Sequence, residues 1–304
     1  MVDEAFDSSR RSRGHWLREQ VEKTDAVDDL PLITIIIPVR NGANVISDCL
    51  SSIAVQDYPN FEVLVIDGAS IDNTVAIADS YGDRFGMLRC VSAADAGVYD
   101  AINKGIELAQ GKWIYILGCD DRLAKPTVLS CVAPLLRDDL DFVYGKILRM
   151  SSGAVQGELA FEAKIFHSNI CQQAIFYRAS LFDTLGHFEL KYRICADWAF
   201  NLKCFGLPCR STFFDDIIAN YDGRGMSSQI SDDLFYRDRL SIIKRGYRIS
   251  YVNSLFRPLR HWFLEAFEID NAARRWLGAA NNLILYTFHA LISKSLERIN
   301  LLRR

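Results

Sequence analysis

The sequence feature that most constrains the fold is an apolar run that stops abruptly at two carboxylates. Residues 113–117 read WIYIL, and Gly118, Cys119, Asp120 and Asp121 follow them. An unbroken apolar run of this kind is typical of a strand that is buried on both faces. In open α/β sheets, ligands bind in the crevice beyond the carboxyl ends of such strands. The two carboxylates therefore either face a ligand or belong to a solvated acidic turn.

A metal cation is the ligand that carboxylates at the end of a strand suit best. Hard divalent ions such as Mg²⁺ or Mn²⁺ prefer oxygen ligands and often share their coordination shell with substrate phosphates. Asp120 and Asp121 therefore form a candidate metal site. For Asp121, an ion pair with Arg122 or another neighbour is the competing interpretation.

Three further strands are predicted before this one, of which the third, Met87 to Val91, is short. Residues 31–39 and 61–66 are rich in Ile and Val, and apolar side chains between them, in 45–53, repeat at helical spacing. A strand, a helix and a strand at this spacing predict a crossover with parallel strands. Pro38 is expected to end the ladder of the first strand. Three strands thus deliver polar side chains to one edge of the sheet: Asn41, Asp67, Asp120 and Asp121.

The whole pattern predicts an α/β fold with a mainly parallel central sheet and helices on both faces. No GxGxxG motif follows the first strand, so a dinucleotide-binding fold of the dehydrogenase type is disfavoured. From Ser231 onward the pattern is helical. We predict a polar N-terminal arm (residues 1–29), one catalytic-size domain (30–230) and a basic helical C-terminal extension (231–304).

Charge is distributed unevenly along the chain. The net charge is −3, yet residues 237–304 carry 13 Lys and Arg against 5 Asp and Glu. A basic tail on an acidic body suggests phospholipid headgroups or a phosphorylated lipid as partner rather than nucleic acid. The 8 cysteines show no metal-ligand spacing, and the first 25 residues lack the apolar run of a secretory signal. Both observations favour a cytoplasmic protein with reduced thiols.

An uncharged run from Trp276 to Ser293 is about as long as a bilayer requires. Asn281, Asn282 and His289 interrupt it, so we expect an amphipathic or docking helix rather than a spanning one. Basic residues flank the run on both sides. They lead to the hypothesis of peripheral attachment at the inner face of the cytoplasmic membrane.

Five segments, taken in order and with their spacing, are similar to the motifs of a known family. They read ITIIIPVRN (33–41), VLVIDGASIDNT (63–74), DAGVYDAINKGIELAQGKWIYILGCDD (95–121), ICQQAIFYR (170–178) and ICADWAF (194–200). Together they resemble the family 2 glycosyltransferases of GT-A fold. The likeness is greatest to the bacterial branch that builds capsules, exopolysaccharides and lipopolysaccharide O-chains, and it covers about residues 32–230.

The resemblance implies inverting transfer of a sugar from a nucleotide-diphosphate donor, typically a UDP-sugar, with Mn²⁺ or Mg²⁺ as cofactor. The implied acceptor is a carbohydrate, lipid-linked at the membrane. Asp197 matches the family's catalytic base, and Asp67 matches the carboxylate that receives the nucleobase. Asp120 and Asp121 match acids of the metal motif, with Asp120 also facing the donor. The wall of the nucleotide pocket matches Pro38, Arg40 and Asn41.

The chain departs from the family's pattern at several positions. Gly118 stands where the metal motif usually begins with an acid. Ile102 stands where many members carry Arg, and Lys104 could supply the missing cation. Gln172 stands where this branch often has His, whereas Gln173 matches its neighbour. The QxxRW signature of processive synthases is absent, which favours single additions over chain polymerisation.

Further candidate residues each have a competing structural interpretation. Asp95 precedes a Gly-containing loop and suits a ribose or donor sugar. Asp100 and Lys104 could orient the donor or form an i,i+4 surface pair. Trp198 could stack on an acceptor sugar or fill the core, and Arg224 could clamp phosphate or remain a solvated loop cation. The candidates for acceptor or loop contacts are Trp198, Gln173 and Arg224.

The two central carboxylates also have alternatives. Asp197 lies in an apolar, aromatic sequence, where desolvation would raise its pKa and make it a better base near neutral pH. The alternative is a helix N-cap. For Asp67 the alternative to nucleotide contact is an Asx turn.

Two other functions stay open from sequence. A sugar-phosphate nucleotidyltransferase would use a similar sheet and acidic metal site. It usually needs a Gly-rich, basic triphosphate loop after the first strand, and residues 40–43 (RNGA) supply little of that. A non-catalytic subunit would retain only the fold. The joint presence of four acids argues against it: Asp67, Asp120, Asp121 and Asp197.

Overall fold

The computed structural model describes residues 30–157, 165–206, 209–223 and 231–246. The predicted arm (1–29), Arg224, the run 276–293 and most of the predicted C-terminal extension lie outside the described residues. The predicted domain boundaries therefore stay predictions. No helix in the described ranges is long and apolar enough to cross a membrane.

Four parallel strands form the N-terminal half of the sheet, as the sequence predicts. They are β1 (Ile33–Val39), β2 (Phe61–Asp67), β3 (Leu88–Ser92) and β4 (Trp113–Ile116). Their order across the sheet is β3, β2, β1, β4. The helices between them are α1 (Ile46–Ala54), α2 (Thr74–Asp79) and α3 (Val98–Leu108). All residues of β1 are buried, which explains its unbroken run of apolar and β-branched side chains.

Pro38 does not end the ladder of β1, contrary to the sequence prediction. β1 pairs with β2 as far as Val39 and Asp67, whereas its pairing with β4 stops at Ile36 and Ile116. Beyond Ile36 the strand has a ladder partner on one side only, so a residue without an N–H is tolerated there. β1 therefore continues to the edge where the polar loops begin.

The C-terminal half extends the sheet with mixed pairing. Its strands are β5 (Arg122–Leu123), β6 (Phe142–Arg149), β7 (Ala154–Gln156), β8 (Ile175–Arg178) and β9 (Ser211–Tyr221). β8 lies antiparallel to β4 and β6, and β6 runs parallel to β9. The remaining helices are α4 (Val128–Val132), α5 (Ser180–Leu185), α6 (Ala196–Gly206) and α7 (Asp233–Gly246). The α/β prediction is confirmed, although this half is mixed rather than parallel.

Helix α3 packs directly on the centre of the sheet at Gly105. A Cβ at this position would lie 2.6 Å from Cγ2 of Ile36, so glycine is what lets the helix approach this closely. Because α3 begins at Val98, this packing also fixes Tyr99 in the first turn of the helix.

Candidate active site

The loops that follow β1 and β2 are tied together through Asn41. This residue has a left-handed backbone (φ 53°), its N–H donates to Ser70 Oγ (2.7 Å), and its Oδ1 accepts from the N–H of Ile71 (3.0 Å). Asn41 and Arg40 are exposed, whereas Pro38 is buried in the strand. Of the predicted nucleotide wall, Arg40 and Asn41 are therefore the side chains presented at the sheet edge.

Asp67 ends β2 with its carboxylate fully buried. The N–H of Ser70 donates to Oδ2 (2.9 Å), the Ser92 hydroxyl donates to the same oxygen (2.6 Å), and the Ser70 hydroxyl donates to Oδ1. This is the turn-anchoring arrangement that competes with nucleobase contact. In the structure, Asp67 ties the ends of β2 and β3 together and does not reach solvent.

A second carboxylate approaches the same turn from the loop after β3. A Cβ at Gly68 would collide with the side chain of Asp95, so the Asp95 carboxylate lies directly against the turn after β2. Asp95 Oδ1 also accepts from the N–H of Gly97 (2.9 Å). Asp95 is therefore held at the edge where β1, β2 and β3 end.

Asp100 and Lys104 form the i,i+4 pair that the sequence allows, and the pair supports this loop. Their side chains lie 3.0 Å apart, Asp100 accepts from the N–H of Ala96 (2.9 Å), and Lys104 donates to the carbonyl of Ala94 (2.9 Å). The Ala96 N–H, and then Lys104, lower the pKa of Asp100. The pair thus fixes the loop backbone on both sides of Asp95, at Ala94 and at Ala96.

Asp121 is the more buried of the two carboxylates after β4, with a relative exposure of 1%. Its Oδ2 accepts from Gln173 Nε2 (2.7 Å), and its Oδ1 accepts from the N–H of Asp222 (2.9 Å). Burial, followed by the charge of Asp120, raises its pKa to about 7. Arg122 pairs with Asp48 instead (2.5 Å), so the competing interpretation of an Asp121–Arg122 ion pair is wrong.

Asp120 is the carboxylate that remains partly exposed after β4. A Cβ at Gly118 would lie 2.5 Å from Asp121 Oδ2 and 3.0 Å from Asp120 Oδ1. The acid that the family's motif usually has at this position therefore has no room here. Within the described ranges, no three His, Cys, Asp or Glu side chains are grouped to hold a metal ion. One exposed carboxylate still fits Mg²⁺ or Mn²⁺ if a substrate diphosphate supplies further oxygens.

Asp197 lies in the first turn of α6 and is 9% exposed. Tyr99 Oη lies 2.8 Å from its Oδ1, and Asn169 Nδ2 donates to its Oδ2 across 2.7 Å. Burial raises its pKa to about 6, and the bonds from Tyr99 and Asn169 limit the rise. A carboxylate of this pKa is largely ionised at neutral pH and still basic enough to accept a proton.

One short segment, residues 169–173, contacts both acidic groups. Asn169 donates to Asp197 and Gln173 donates to Asp121. Burial raises the pKa of Cys171, between them, to about 12, and the charges of Asp121 and Asp197 both add to the rise. The two carboxylates therefore contact opposite ends of this segment, and Gln173, a predicted acceptor or loop contact, instead orients Asp121.

Trp198 lies in the core and not at an open surface. It is 7% exposed, its Nε1 donates to the carbonyl of Ile165 (2.7 Å), and its ring packs against Phe235 (5.0 Å between centroids). The guanidinium of Arg239 lies 5.5 Å from the ring centre. The structure supports the core-filling alternative rather than stacking on an acceptor sugar.

Sequence reasoning missed the partners of Asp197. They are Tyr99 and Asn169, and Asn169 Oδ1 in turn accepts from Asn201 Nδ2 (2.9 Å). All three are polar residues inside otherwise apolar or helical segments. That pattern marks them as unusual but does not reveal that they meet, because Tyr99 and Asp197 are 98 positions apart along the chain.

Comparison with known proteins decides the family. The family model described as "Glycosyl transferase family 2" matches residues 34–194. This chain belongs to glycosyl transferase family 2. A PGL/p-HBAD biosynthesis glycosyltransferase of Mycobacterium bovis BCG is 38% identical over 228 residues, which are 73% of this chain and 89% of that protein. The resemblance drawn from the five motifs is confirmed, and the chain is a glycosyltransferase.

Solved structures share the fold of this glycosyltransferase. S. aureus TarS 1-349 in complex with UDP-GlcNAc has a TM-score of 0.58 at 21% identity, covering 70% of this chain and 66% of that one. The mannosyltransferase PcManGT from Pyrobaculum calidifontis, solved with GDP-Man and Mn²⁺, has a TM-score of 0.54 at 19% identity, covering 93% and 88%. A comparison with a longer S. aureus TarS chain covers 69% of this chain but only 38% of that one. These likenesses confirm the predicted GT-A fold.

Proposed function

We propose that this glycosyltransferase transfers single sugars from a nucleotide-diphosphate donor to a hydroxyl of a carbohydrate acceptor, with inversion at the anomeric carbon. The observation that carries the proposal is segment 169–173, which contacts Asp197 through Asn169 and Asp121 through Gln173. An inverting displacement needs a base on the acceptor side and charge stabilisation on the leaving-group side. A segment that contacts both acidic groups suits that requirement.

Asp197 is proposed as the base. Its carboxylate takes the proton of the acceptor hydroxyl while the hydroxyl oxygen forms a bond to the anomeric carbon. The bond from that carbon to the diphosphate oxygen breaks, and the nucleoside diphosphate leaves. A pKa of about 6 keeps Asp197 ionised before the reaction at neutral pH.

Asp120 is proposed to hold Mn²⁺ or Mg²⁺ together with the donor diphosphate. When bound, the ion supplies positive charge that stabilises the departing diphosphate. Asp121, although it matches the same motif, is proposed to position Asp120 rather than to bind metal, because it is only 1% exposed and is held in place by bonds from Gln173 and Asp222. A bound Mn²⁺ in PcManGT, a relative in fold, supports a divalent ion here.

The nucleotide is proposed to lie at the ends of β1, β2 and β3. Arg40 and Asn41 would line the nucleobase side, and Asp95 would meet the ribose or donor sugar. Asp67 is proposed to shape this pocket through Ser70. A UDP-sugar is favoured by the family resemblance and by the UDP-GlcNAc bound to TarS.

The supporting residues of this pocket act through the loop that carries Asp95. Asp100 and Lys104 bond to Ala96 and Ala94, so we expect them to influence donor binding through the loop backbone. Pro38 belongs to the buried wall beneath the nucleotide.

The acceptor is proposed to be a lipid-linked saccharide in bacterial surface polysaccharide biosynthesis. Support comes from the resemblance and from the basic composition of residues 237–304, which favours anionic headgroups at the inner face of the cytoplasmic membrane. Sedimentation with vesicles of phosphatidylglycerol, at low and high salt, tests the membrane contact. If equal amounts of the protein stay in the supernatant with and without vesicles at low salt, the proposed membrane contact is wrong.

A panel of UDP-, GDP- and dTDP-sugars, scanned by thermal shift with Mn²⁺ present, tests the donor class. A bound donor stabilises the folded state by mass action, so the correct class should raise Tm. Release of nucleoside diphosphate from that donor should then fall by about 10² to 10⁴ in Asp197→Asn, with donor-induced stabilisation intact. Diphosphate release from a nucleoside triphosphate would instead indicate a nucleotidyltransferase.

A further inference from the structure

The hydroxyl of Tyr99 touches two acceptors at once. Tyr99 Oη lies 2.8 Å from Oδ1 of Asp197 and 2.7 Å from the carbonyl oxygen of Ile194. A phenol has one proton to donate and lone pairs with which to accept. It can therefore donate to either oxygen, and when it donates to Ile194 it is free to accept from Asp197.

The other oxygen of Asp197 ends a relay of three donors. Tyr177 Oη donates to Asn201 Oδ1 (2.8 Å), Asn201 Nδ2 donates to Asn169 Oδ1 (2.9 Å), and Asn169 Nδ2 donates to Asp197 Oδ2 (2.7 Å). Because an ionised carboxylate only accepts hydrogen bonds, Asn169 turns its NH₂ group toward Oδ2, Asn201 is oriented in the same sense, and the tyrosine hydroxyl donates at the far end. While Asp197 is ionised, the relay thus presents a donor to Oδ2.

We propose that Tyr99 and Asn169 are positioning residues for the base, and that Tyr99 serves both protonation states of Asp197. While Asp197 is ionised, Tyr99 donates to Oδ1 and Asn169 donates to Oδ2. After Asp197 has taken the acceptor's proton, the protonated Oδ1 donates to Tyr99 Oη, and the Tyr99 proton turns to the Ile194 carbonyl. In total, one proton moves from the hydroxyl of the sugar acceptor to Asp197. Tyr99 keeps its own proton and only changes the oxygen to which it donates.

The inference rests on the proposed role of Asp197 and adds a reason why this buried carboxylate can change charge during turnover. A donor that cannot rotate would favour only the ionised form. A hydroxyl with a second acceptor within reach pairs with both forms, so protonation leaves no buried polar group without a partner.

Several other ionisable groups of the described residues lie near Asp197, and a difference measurement separates their signals from its own. The titratable and charged groups around Asp197 and its neighbour Cys195 are Tyr99, Cys171, Tyr177, Asp232 and Arg239. Burial raises the pKa of both tyrosines and both cysteines, so these four stay neutral near pH 6. Subtracting the signal of Asp197→Asn from that of the wild type removes the remaining carboxylate, Asp232.

Infrared difference titration of the purified, chelated chain measures the pKa of Asp197 without any substrate. The carboxylate band that is present in the wild type and absent from Asp197→Asn should titrate near pH 6. Tyr99→Phe should shift that midpoint upward by about one unit, because the charge-assisted bond that Tyr99 donates to the ionised carboxylate is stronger than the bond that it accepts from the protonated one. Asn169→Ala should also raise it, and Tyr177→Phe should raise it less. Tyr81→Phe, which removes a buried hydroxyl bonded to Ser47 and Ser51, is the matched control and should leave the midpoint unchanged.

Kinetics separate positioning from a general structural effect. With UDP-GlcNAc or GDP-mannose, whichever releases nucleoside diphosphate faster with Mn²⁺, Tyr99→Phe should lower kcat about tenfold and move its acid limb upward with the midpoint. KM for the donor should change little, whereas the loss of the bonds to Asp197 and Ile194 should lower the urea unfolding midpoint. An unmoved midpoint and acid limb in Tyr99→Phe would overturn the inference while leaving the base intact, provided that Asp197→Asn is inactive. Full turnover by Asp197→Asn would overturn the proposed base and the inference together.

Discussion

Gln173 donates a hydrogen bond of 2.7 Å from Nε2 to the buried Oδ2 of Asp121, and this bond joins the segment before β8 to the turn after β4. The other oxygen of Asp121 accepts from the N–H of Asp222, at the end of β9. Three chain segments thus meet on one carboxylate. The adjacent Asp120 is left as the acid presented at the site, so its position depends on the contacts of its neighbour.

Replacing Gln173 should therefore loosen the turn that carries Asp120. In Gln173→Ala the buried Asp121 loses a donor, and bonds to charged groups of this kind contribute about 1.5 to 3 kcal/mol. We expect a loss of about 2 kcal/mol in the free energy of unfolding, measured with urea, and a weaker Mn²⁺-dependent thermal shift with the donor nucleotide. Gln172→Ala is the matched control, because Gln172 Nε2 makes no hydrogen bond to any residue that the structure describes. Equal losses in the two variants would contradict the assigned role of Gln173.

The parallel half of the sheet could be predicted because its signals are local. β1 and β4 are short runs of buried apolar residues that stop at polar turns, and burial on both faces leaves a continuous apolar pattern. The mixed half could not, because β8 inserts between β4 and β6 through pairings of residues far apart in the chain. Nothing in a local pattern specifies such an order.

The features of the candidate site likewise fall into those that local sequence predicts and those that long-range contacts decide. Asp120 and Asp121 are indistinguishable as neighbours in a sequence, and their difference in burial comes from Gln173, 52 positions away. Asp67 matches a family motif, yet Ser70 and Ser92 decide that its oxygens face inward. The motifs identified the acidic residues, while long-range contacts determined which of their carboxylates remain exposed at the sheet edge and which are buried.

Restoring the family's missing acid at position 118 should damage this protein. A Cβ at Gly118 would lie 2.5 Å from Asp121 Oδ2, and an added carboxylate would crowd two others. We expect Gly118→Asp to lose about 2 kcal/mol or more of stability and to bind Mn²⁺ with the donor nucleotide no better than the wild type. Gly118→Ala should show most of the steric cost without the charge. Gly86→Ala, where a Cβ meets nothing within 4 Å, is the control and should be close to neutral. Improved metal binding in a stable Gly118→Asp would show that the turn can open.

Asp67 offers a test of anchoring against direct nucleotide contact. Its carboxylate accepts two bonds from Ser70 and one from Ser92, so Asp67→Asn should lose about 2 kcal/mol of unfolding free energy. We expect UDP affinity, measured by calorimetry with Mn²⁺, to fall together with stability because the loop is loosened. The exposed Asp83, changed to Asn, should alter neither quantity. Weaker UDP binding without any loss of stability would instead support direct contact between Asp67 and the nucleobase.

The burial of Asp197 should make this glycosyltransferase less stable as the Asp197 carboxylate becomes charged. Its pKa is raised from 3.8 to about 6, so the folded state holds the proton more tightly than the unfolded state between pH 4 and 6. Its stabilising contribution is therefore present at low pH and is lost as pH rises through that window. Two units correspond to about 3 kcal/mol. Asn cannot titrate, so the stability of Asp197→Asn relative to the wild type should improve by about 3 kcal/mol from pH 4 to pH 7, measured by urea unfolding in chelator. Parallel pH profiles for the two proteins would contradict the raised pKa of Asp197 and the predicted cost of ionising this buried carboxylate.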